Sequence, residues 1–369
     1  MKKVLTVFGT RPEAIKMAPV VRALREANQL QTVVCVTAQH REMLDQVLEL
    51  FKIVPEYDLD IMKNKQDLFD IAAGVLAGFK NVLQQEKPDL VLVHGDTSTT
   101  FIGALASYYL QIPVGHVEAG LRTRNKYSPF PEEMNRALTG QLADIHFAPT
   151  AWARDNLLAE SVPAEKIFVT GNTVIDALLQ TVGDDHRFAG SLAGLDFTQK
   201  MILVTTHRRE SWGERMRQIY LALLDILEQF PDTFVVFPVH MNPIVRDLAY
   251  EVLNGHPRVS LIDPLEYADF ANLMARSHLI ITDSGGLQEE APALGKPVLV
   301  LRETTERPEA VDAGTVKLVG TDRDTIRKTA GQLLAVPTEY EKMAHAANPY
   351  GDGRASLRIR DIIIECLGC

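Results

Sequence analysis

Apolar runs of four to six residues recur along the whole chain, each ended by a glycine or polar turn and followed by a longer stretch with apolar positions at helical spacing. Strands buried on both faces of a parallel sheet, alternating with helices, read in this way. In the first half the runs at 4–8, 32–37, 90–93 and 114–117 predict strands, and 14–24, 43–51 and 101–110 predict helices. VTGNTVID at 169–176 turns from a strand into a helix, and 183–194 is irregular and glycine-bearing. The passage between two domains is therefore placed here, as 1–172 and 173–354. Runs at 201–206, 234–239, 259–262, 279–281 and 297–301 then restart the alternation. An apolar final helix at 355–367 is expected to cross back, so that about 355–369 joins the first domain.

The bulk numbers narrow the partners. A chain of 369 residues has room for about two domains with a core each. Its 46% hydrophobic and 23% charged residues are those of an ordinary soluble protein. A formal net charge of -10 argues against nucleic acid, which calls for a basic footprint. Arg11, Pro12 and Glu13 cut the first apolar run before it could serve as a signal segment, and no stretch is long enough to span a bilayer. A cytoplasmic protein without membrane association is expected. Cys35 sits in an apolar run and reads as a small core residue, while Cys366 and Cys369 have the spacing of half a metal site with no second ligand pair evident.

Candidate chemistry gathers at the strand ends, where α/β sheets bind ligands. TDSGGLQEEAPALG from Thr282 reads as a turn between a buried strand and a helix at 287–294 closed by Gly295. Gly285 and Gly286 could take positive φ and admit an anion to the backbone N–H groups, with the helix N-terminus adding partial positive charge. Glu289 and Glu290 would compete with a phosphate there, so one of them is expected to turn aside, with a ribose diol as its acceptor. Arg302 and Arg307 follow the next strand and can return charge to the same rim. The plainer alternative is a strand-to-helix turn whose glutamates only help the helix start. Asp96 and Glu118 end two consecutive strands, and close carboxylates push each other's pKa values apart, as acid and base work requires. Alternatively Asp96 caps a helix and Glu118 pairs with Arg122. Glu132 opens a helix, His207 and His240 end strands, and Arg11 and Lys16 flank the first strand end. The Asp58-Leu59-Asp60 pattern is best read as solvated carboxylates on an edge strand, not as a metal site.

Taken in order, VLTVFGTRPEAIKMAP at Val4, TAQHREMLDQV at Thr37, VLVHGDTSTT at Val91, VGHVEAGLRT at Val114, YSPFPEEMNR at Tyr127, FVTGNTVIDAL at Phe168, THRRES at Thr206, DSGGLQEEAP at Asp283, ETTERPEA at Glu303 and NPYGDG at Asn348 resemble the non-hydrolysing UDP-N-acetylglucosamine 2-epimerases of bacteria over essentially the full length. The resemblance implies a GT-B fold, two facing Rossmann-like domains with a cleft between them. It implies interconversion of UDP-N-acetylglucosamine and UDP-N-acetylmannosamine without cofactor or metal, by elimination of UDP to 2-acetamidoglucal and re-addition, in a homodimer that supplies N-acetylmannosamine for cell-surface polysaccharide. Asp96, Glu118 and Glu132 would then do the acid and base work, and His207 and Arg11 would partner the departing diphosphate. Ser284, Gly285 and Gly286 would cradle phosphate, Glu290 would meet the ribose, and Lys16, Phe270 and Arg307 would make further nucleotide-sugar contacts. Gln39, His40, Arg208 and His240 match a second, regulatory position known in some bacterial members. Glu42 and Lys65 depart from it, since glutamine and arginine are usual there and lysine lacks the bidentate fork. Two other readings use the same cradle, a GT-B UDP-sugar glycosyltransferase with a separate acceptor and a nucleotide-sugar sensor. The carboxylate cluster favours the epimerase.

Overall fold

A computed structural model describes residues 1–38, 41–62 and 66–369, with 41 and 42 as backbone only. The chain divides into two compact units, Met1–Leu179 with Tyr350–Cys369, and Gln180–Pro349. The expected division at 172/173 thus falls at 179/180, and the return comes at 350 instead of about 355.

Among the described residues the first unit holds seven parallel strands, β1 (Lys2–Phe8), β2 (Leu30–Val36), β3 (Tyr57–Asp58), β4 (Leu90–His94), β5 (Val114–Val117), β6 (Ile145–Ala148) and β7 (Ile167–Val169), in the order β3-β2-β1-β4-β5-β6-β7. The second holds β8 (Lys200–Thr205), β9 (Thr233–Pro238), β10 (Val259–Ile262), β11 (Leu279–Thr282), β12 (Val298–Val300) and β13 (Val316–Leu318), in the order β10-β9-β8-β11-β12-β13. Both are doubly wound, Rossmann-like sheets. Their strand order reverses direction between β1 and β4 and between β8 and β11, and a crevice opens at the carboxyl ends of such a pair.

The apolar runs form the cores. Leu5, Val7, Val33, Cys35, Val91 and Val93 pack against Phe79, Leu83 and Ala104 in the first unit. Ile202, Val204, Val235 and Phe237 pack against Tyr220, Leu223 and Ile226 in the second. Cys35 is fully buried, which pushes its thiol up to about 12 and leaves it inert at neutral pH. Asp58 and Asp60 are exposed, with Asp58 on the edge strand β3.

The division at 179 has a specific cause. Asp176, on the helix Thr173–Thr181, is buried and accepts the backbone N–H of Ala355 (3.1 Å) and of Ser356 (2.8 Å) and the Ser356 hydroxyl (2.5 Å). It caps the helix Ala355–Leu367, whose first N–H groups have no partner within the helix. That helix packs on Arg11–Arg25, so the chain end belongs to the first unit. Asp176→Ala should therefore lower stability by about 1–3 kcal/mol, the cost of orphaning buried donors. A urea denaturation midpoint equal to that of the parent chain would show that this cap does not hold the returning helix.

Candidate active site

At the β1/β4 reversal, Glu13 joins two turns. Thr10 caps the helix Arg11–Arg25, and Glu13 Oε2 accepts the N–H of Gly9 (3.0 Å), the N–H of Thr10 (2.8 Å) and the Thr10 hydroxyl (2.8 Å). Its Oε1 accepts the Thr97 hydroxyl (2.7 Å) and lies 3.1 Å from that of Thr100, both beyond β4. Burial raises this carboxyl, and the hydrogen bonds oppose that rise. Gly9 is required by close approach, because a Cβ there would stand 2.0 Å from Thr37 Oγ1. Arg11 is the first residue of the helix, half-buried beside this turn.

Asp96 and Glu118 follow β4 and β5, and the structure brings them together through one guanidinium. Arg136, on the helix Glu132–Leu142, pairs with Asp96, lies 3.6 Å from Glu118 Oε1 and donates to the Glu118 carbonyl (2.5 Å). Asn135 donates to the Asp96 carbonyl (2.9 Å). Glu118 is 8% exposed; its Oε2 pairs with Lys16 and accepts from Asn172 Nδ2 (3.2 Å). Its φ of 60° lies in the left-handed region, which a residue other than glycine adopts at a cost of order 1–3 kcal/mol.

The electrostatics differ from the expected mutual repulsion. Burial opposes ionisation of Glu118, but Lys16, His94 and Arg136 together outweigh it and hold the carboxyl far below the ordinary range. The reason is that Arg136 stands between the two acids, so each faces a cation. His94, whose Nε2 is 3.8 Å from Glu118, is pushed down to about 4 by burial and stays neutral at pH 7. His116 donates from Nε2 to the Gly95 carbonyl (2.7 Å), steadying the left-handed turn before Asp96. The plainer readings fail at both carboxylates: Thr97, not Asp96, is the N-cap, and Arg122 bonds Glu160 at 2.8 and 2.7 Å instead of Glu118. Glu132 is half-buried and lies three and four positions before Asn135 and Arg136, on the same helix face. Its neighbour Glu133 is structural, accepting the N–H groups of Thr123 (2.9 Å) and Arg124 (2.8 Å).

At the β8/β11 reversal a second buried carboxylate plays the joining part. Asp283 Oδ2 accepts the backbone N–H groups of His207 and Arg208 at 2.8 Å each, and its Oδ1 is 2.9 Å from His207 Nδ1. Arg208 Nε donates to the Asp283 carbonyl (2.9 Å), and the ring of His240 stacks on that of His207 at 5.9 Å. His207, Arg208 and His240 are thus neighbours. Gln39, His40 and Lys65 lie outside the described residues.

The turn Ser284-Gly285-Gly286 follows, and here the expectation of positive φ is corrected. Gly286 has φ -61°, a helical value, and Gly285 is likewise absent from the positive-φ glycines of the described residues. The neighbours are the ends of long side chains: a Cβ on Gly285 would stand 2.6 Å from Arg307 Nη1, and one on Gly286 would stand 3.3 Å from Glu290 Oε1, so these side chains would have to shift to admit it. Both side chains therefore lie over this turn. Arg307 is engaged by Glu289 (2.5 Å) and Glu306 (3.0 Å), so it is Glu289 that turns aside, into the protein, while Glu290 stays at the glycines. Arg302 is held by Glu210 (3.1 Å) and Glu306 (2.5 Å). The helix runs Leu287–Ala293, and Gly295 closes it with φ 66°. Phe270 is half-buried on the helix Tyr267–Arg276.

Sequence reasoning passed over Arg136, Asn172, Glu13 and the joining part of Asp283. For Glu13 a signal was present, the Thr-x-x-Glu capping pattern at 10–13. For Arg136 it was the four-residue step from Glu132. Asn172 and Asp283 act through tertiary neighbours that no local spacing reveals.

The family model described as UDP-N-acetylglucosamine 2-epimerase matches residues 22–364. The chain is 59% identical to the UDP-N-acetylglucosamine 2-epimerase of Bacillus subtilis over 97% of its own length and 93% of that protein's. It is 56% identical to that of Escherichia coli K12, covering 98% of each. The structure of the Neisseria meningitidis UDP-GlcNAc 2-epimerase bound to UDP-GlcNAc superposes with a TM-score of 0.86 at 52% identity, covering 98% of this chain and 100% of that one. Matches running through both sheets and both reversal points make the chain a member of the UDP-N-acetylglucosamine 2-epimerase family.

Proposed function

We propose that this isomerase interconverts UDP-N-acetylglucosamine and UDP-N-acetylmannosamine by eliminating UDP and adding it back. The observation that carries the reading is the pair Asp96 and Glu118, joined by Arg136, with Glu118 kept ionised in a buried position. In the forward sense one carboxylate takes the proton from carbon 2, the bond from carbon 1 to the diphosphate oxygen breaks, and the freed pair forms the double bond of 2-acetamidoglucal. A second acid then returns a proton to the opposite face of carbon 2 as the diphosphate oxygen rebonds to carbon 1. Glu132, on the helix face of Arg136, is the third acid available for this exchange.

Losing UDP develops negative charge on the leaving phosphate. His207 and Arg11 are the groups assigned to it, and charge-assisted hydrogen bonds of this kind lower the barrier where charge appears. Ser284, Gly285 and Gly286 are assigned to the phosphates, Glu290 to the ribose, and Lys16, Phe270 and Arg307 to further contacts. Lys16 and Arg307 each already hold a carboxylate, so a ligand reaching them shares or displaces an existing ion pair. The product would feed N-acetylmannosamine to surface polysaccharide. A homodimer belongs to the same reading.

The decisive experiment is incubation with UDP-N-acetylglucosamine alone in deuterium oxide. An epimerase needs no acceptor, and deuterium should appear at carbon 2 of the mannosamine product, because a carboxyl proton exchanges with solvent before it is returned. Retention of the original hydrogen at that carbon, read by proton NMR, would reject the elimination route even with epimerisation confirmed. Asp96→Asn and Glu118→Gln should each reduce kcat by at least about a hundredfold while leaving UDP affinity within a few-fold. Equal loss of UDP binding and turnover would instead make these residues binding groups.

A pH test follows from the cation clamp. Lys16 is the largest of the influences that hold Glu118 ionised, and burial alone would push the carboxyl up. Lys16→Met should therefore raise its pKa, so that the charged form is lost at a higher pH and the acid limb of the kcat profile moves upward. An acid limb that stays in place while kcat falls would mean that Lys16 acts on the substrate only.

A further inference from the structure

Asp283 has no assigned part in the reaction, yet its surroundings constrain His207 closely. The residue is fully buried at the end of β11, and its Oδ2 is saturated by the backbone N–H groups of His207 and Arg208, each at 2.8 Å. Its Oδ1 is equally buried and has His207 Nδ1 at 2.9 Å, off the line of an ideal hydrogen bond. Burial opposes ionisation here too, but His207 and the two backbone donors prevail and the carboxyl stays below its usual value. An ionised carboxylate only accepts, so the nitrogen facing it must carry hydrogen.

We infer that Asp283 is a positioning residue for His207, holding the imidazole as the Nδ1–H tautomer so that Nε2 is the atom offered to the departing diphosphate. The inference rests on the assignment of His207 to the leaving group. Three features of the structure support it. No hydrogen bond engages Nε2 among the described residues, and the His207 side chain is 40% exposed although Nδ1 is turned to a buried oxygen. The stacked ring of His240 limits rotation about the side-chain bonds. With a proton from solvent on Nε2, the imidazolium charge lies against the Asp283 carboxylate, and Nε2–H is a charge-assisted donor to a phosphate oxygen.

Asp283→Asn separates this role from simple packing. The two backbone N–H groups demand an acceptor at the Oδ2 position, so the asparagine oxygen must sit there and its NH2 must face Nδ1. The ring then has to accept at Nδ1 and carry its hydrogen on Nε2, the opposite tautomer. With histidine labelled in both ring nitrogens, and the His207 signals identified by their loss in His207→Gln, long-range 15N–1H correlation reads the tautomer directly. The expected result is a pyrrole-type Nδ1 and a pyridine-type Nε2 in the parent protein, exchanged in Asp283→Asn, with kcat lowered at least about tenfold and KM within about threefold. A hydrogen on Nε2 in the parent protein, or the same tautomer in both, would overturn the inference. The parent spectrum decides this even where the variant does not fold. A protein that shows the Nδ1–H tautomer but fails to epimerise would overturn the proposed activity and leave the tautomer assignment standing.

Discussion

Two buried carboxylates, each tied across the point where its sheet reverses strand order, are the constraint on which the arrangement of functional groups depends. Glu13 binds the turn after β1 to the turn after β4, and Asp283 binds the turn after β11 back to the turn after β8. A carboxylate removed from water costs several kcal/mol unless hydrogen bonds and charges replace the lost hydration. Both are supplied with such partners by the very turns they join. If either turn moved, its carboxylate would be left buried and unsatisfied, so the local hydrogen bonds enforce the spacing of Arg11, Lys16 and Asp96 in one unit and of His207, Arg208 and Ser284 in the other. Doubly wound sheets open a crevice at these reversals, and the carboxylates keep its two lips in register.

The local charge pattern runs against the chain's overall acidity. A formal net charge of -10 would repel a UDP-sugar, yet Lys16, Arg136 and Arg307 stand at the strand ends, partly buried and each beside a carboxylate. Such pairs are poor sources of stability, because desolvation consumes most of their attraction. At Glu118 they do hold the carboxyl in its charged form. Arg136 is the sharpest case, since one guanidinium reaches Asp96, the Glu118 carboxylate and the Glu118 carbonyl. Lysine could not make this set of contacts from one planar group.

The alternation of strands and helices, the two sheets and most strand-end residues were legible in the sequence because buried parallel strands are continuous apolar runs. The short strand β6 and the helix Leu68–Glu86 lacked so plain a frame, and the unit boundary lies seven residues further on, beyond Asp176, which caps a helix 180 positions away. Local pattern carries no record of such a bond. Asp96 and Glu118 stand at strand ends that the pattern marked, but the cations that hold Glu118 low could not be read there, since Arg136 is contributed by another helix. The glycines of the Ser284 turn were read for the conformations they permit. The coordinates instead show no positive φ at either glycine and the ends of Arg307 and Glu290 close to both.

The same topology thus produces two kinds of site by changing only what the turns carry. After β4 and β5 the backbone is forced left-handed, at Gly95 with φ 69° and at Glu118 with φ 60°, and the strain points a carboxylate at its cations. After β11 the backbone is unstrained, and small residues leave room for side chains that other elements deliver. Strain in the first case is tolerable because Lys16, Arg136 and Asn172 over-determine where the Glu118 carboxylate lies. In the second the turn shows no positive φ, and Arg307, whose side chain lies over it, is held by ion pairs. Proton transfer at carbon demands fixed distances, whereas phosphate recognition spreads over many donors and tolerates adjustment. A carboxylate cluster held at fixed distances suits the proton transfer proposed for the first unit, and a turn lined by long side chains suits the phosphate contacts proposed for the second.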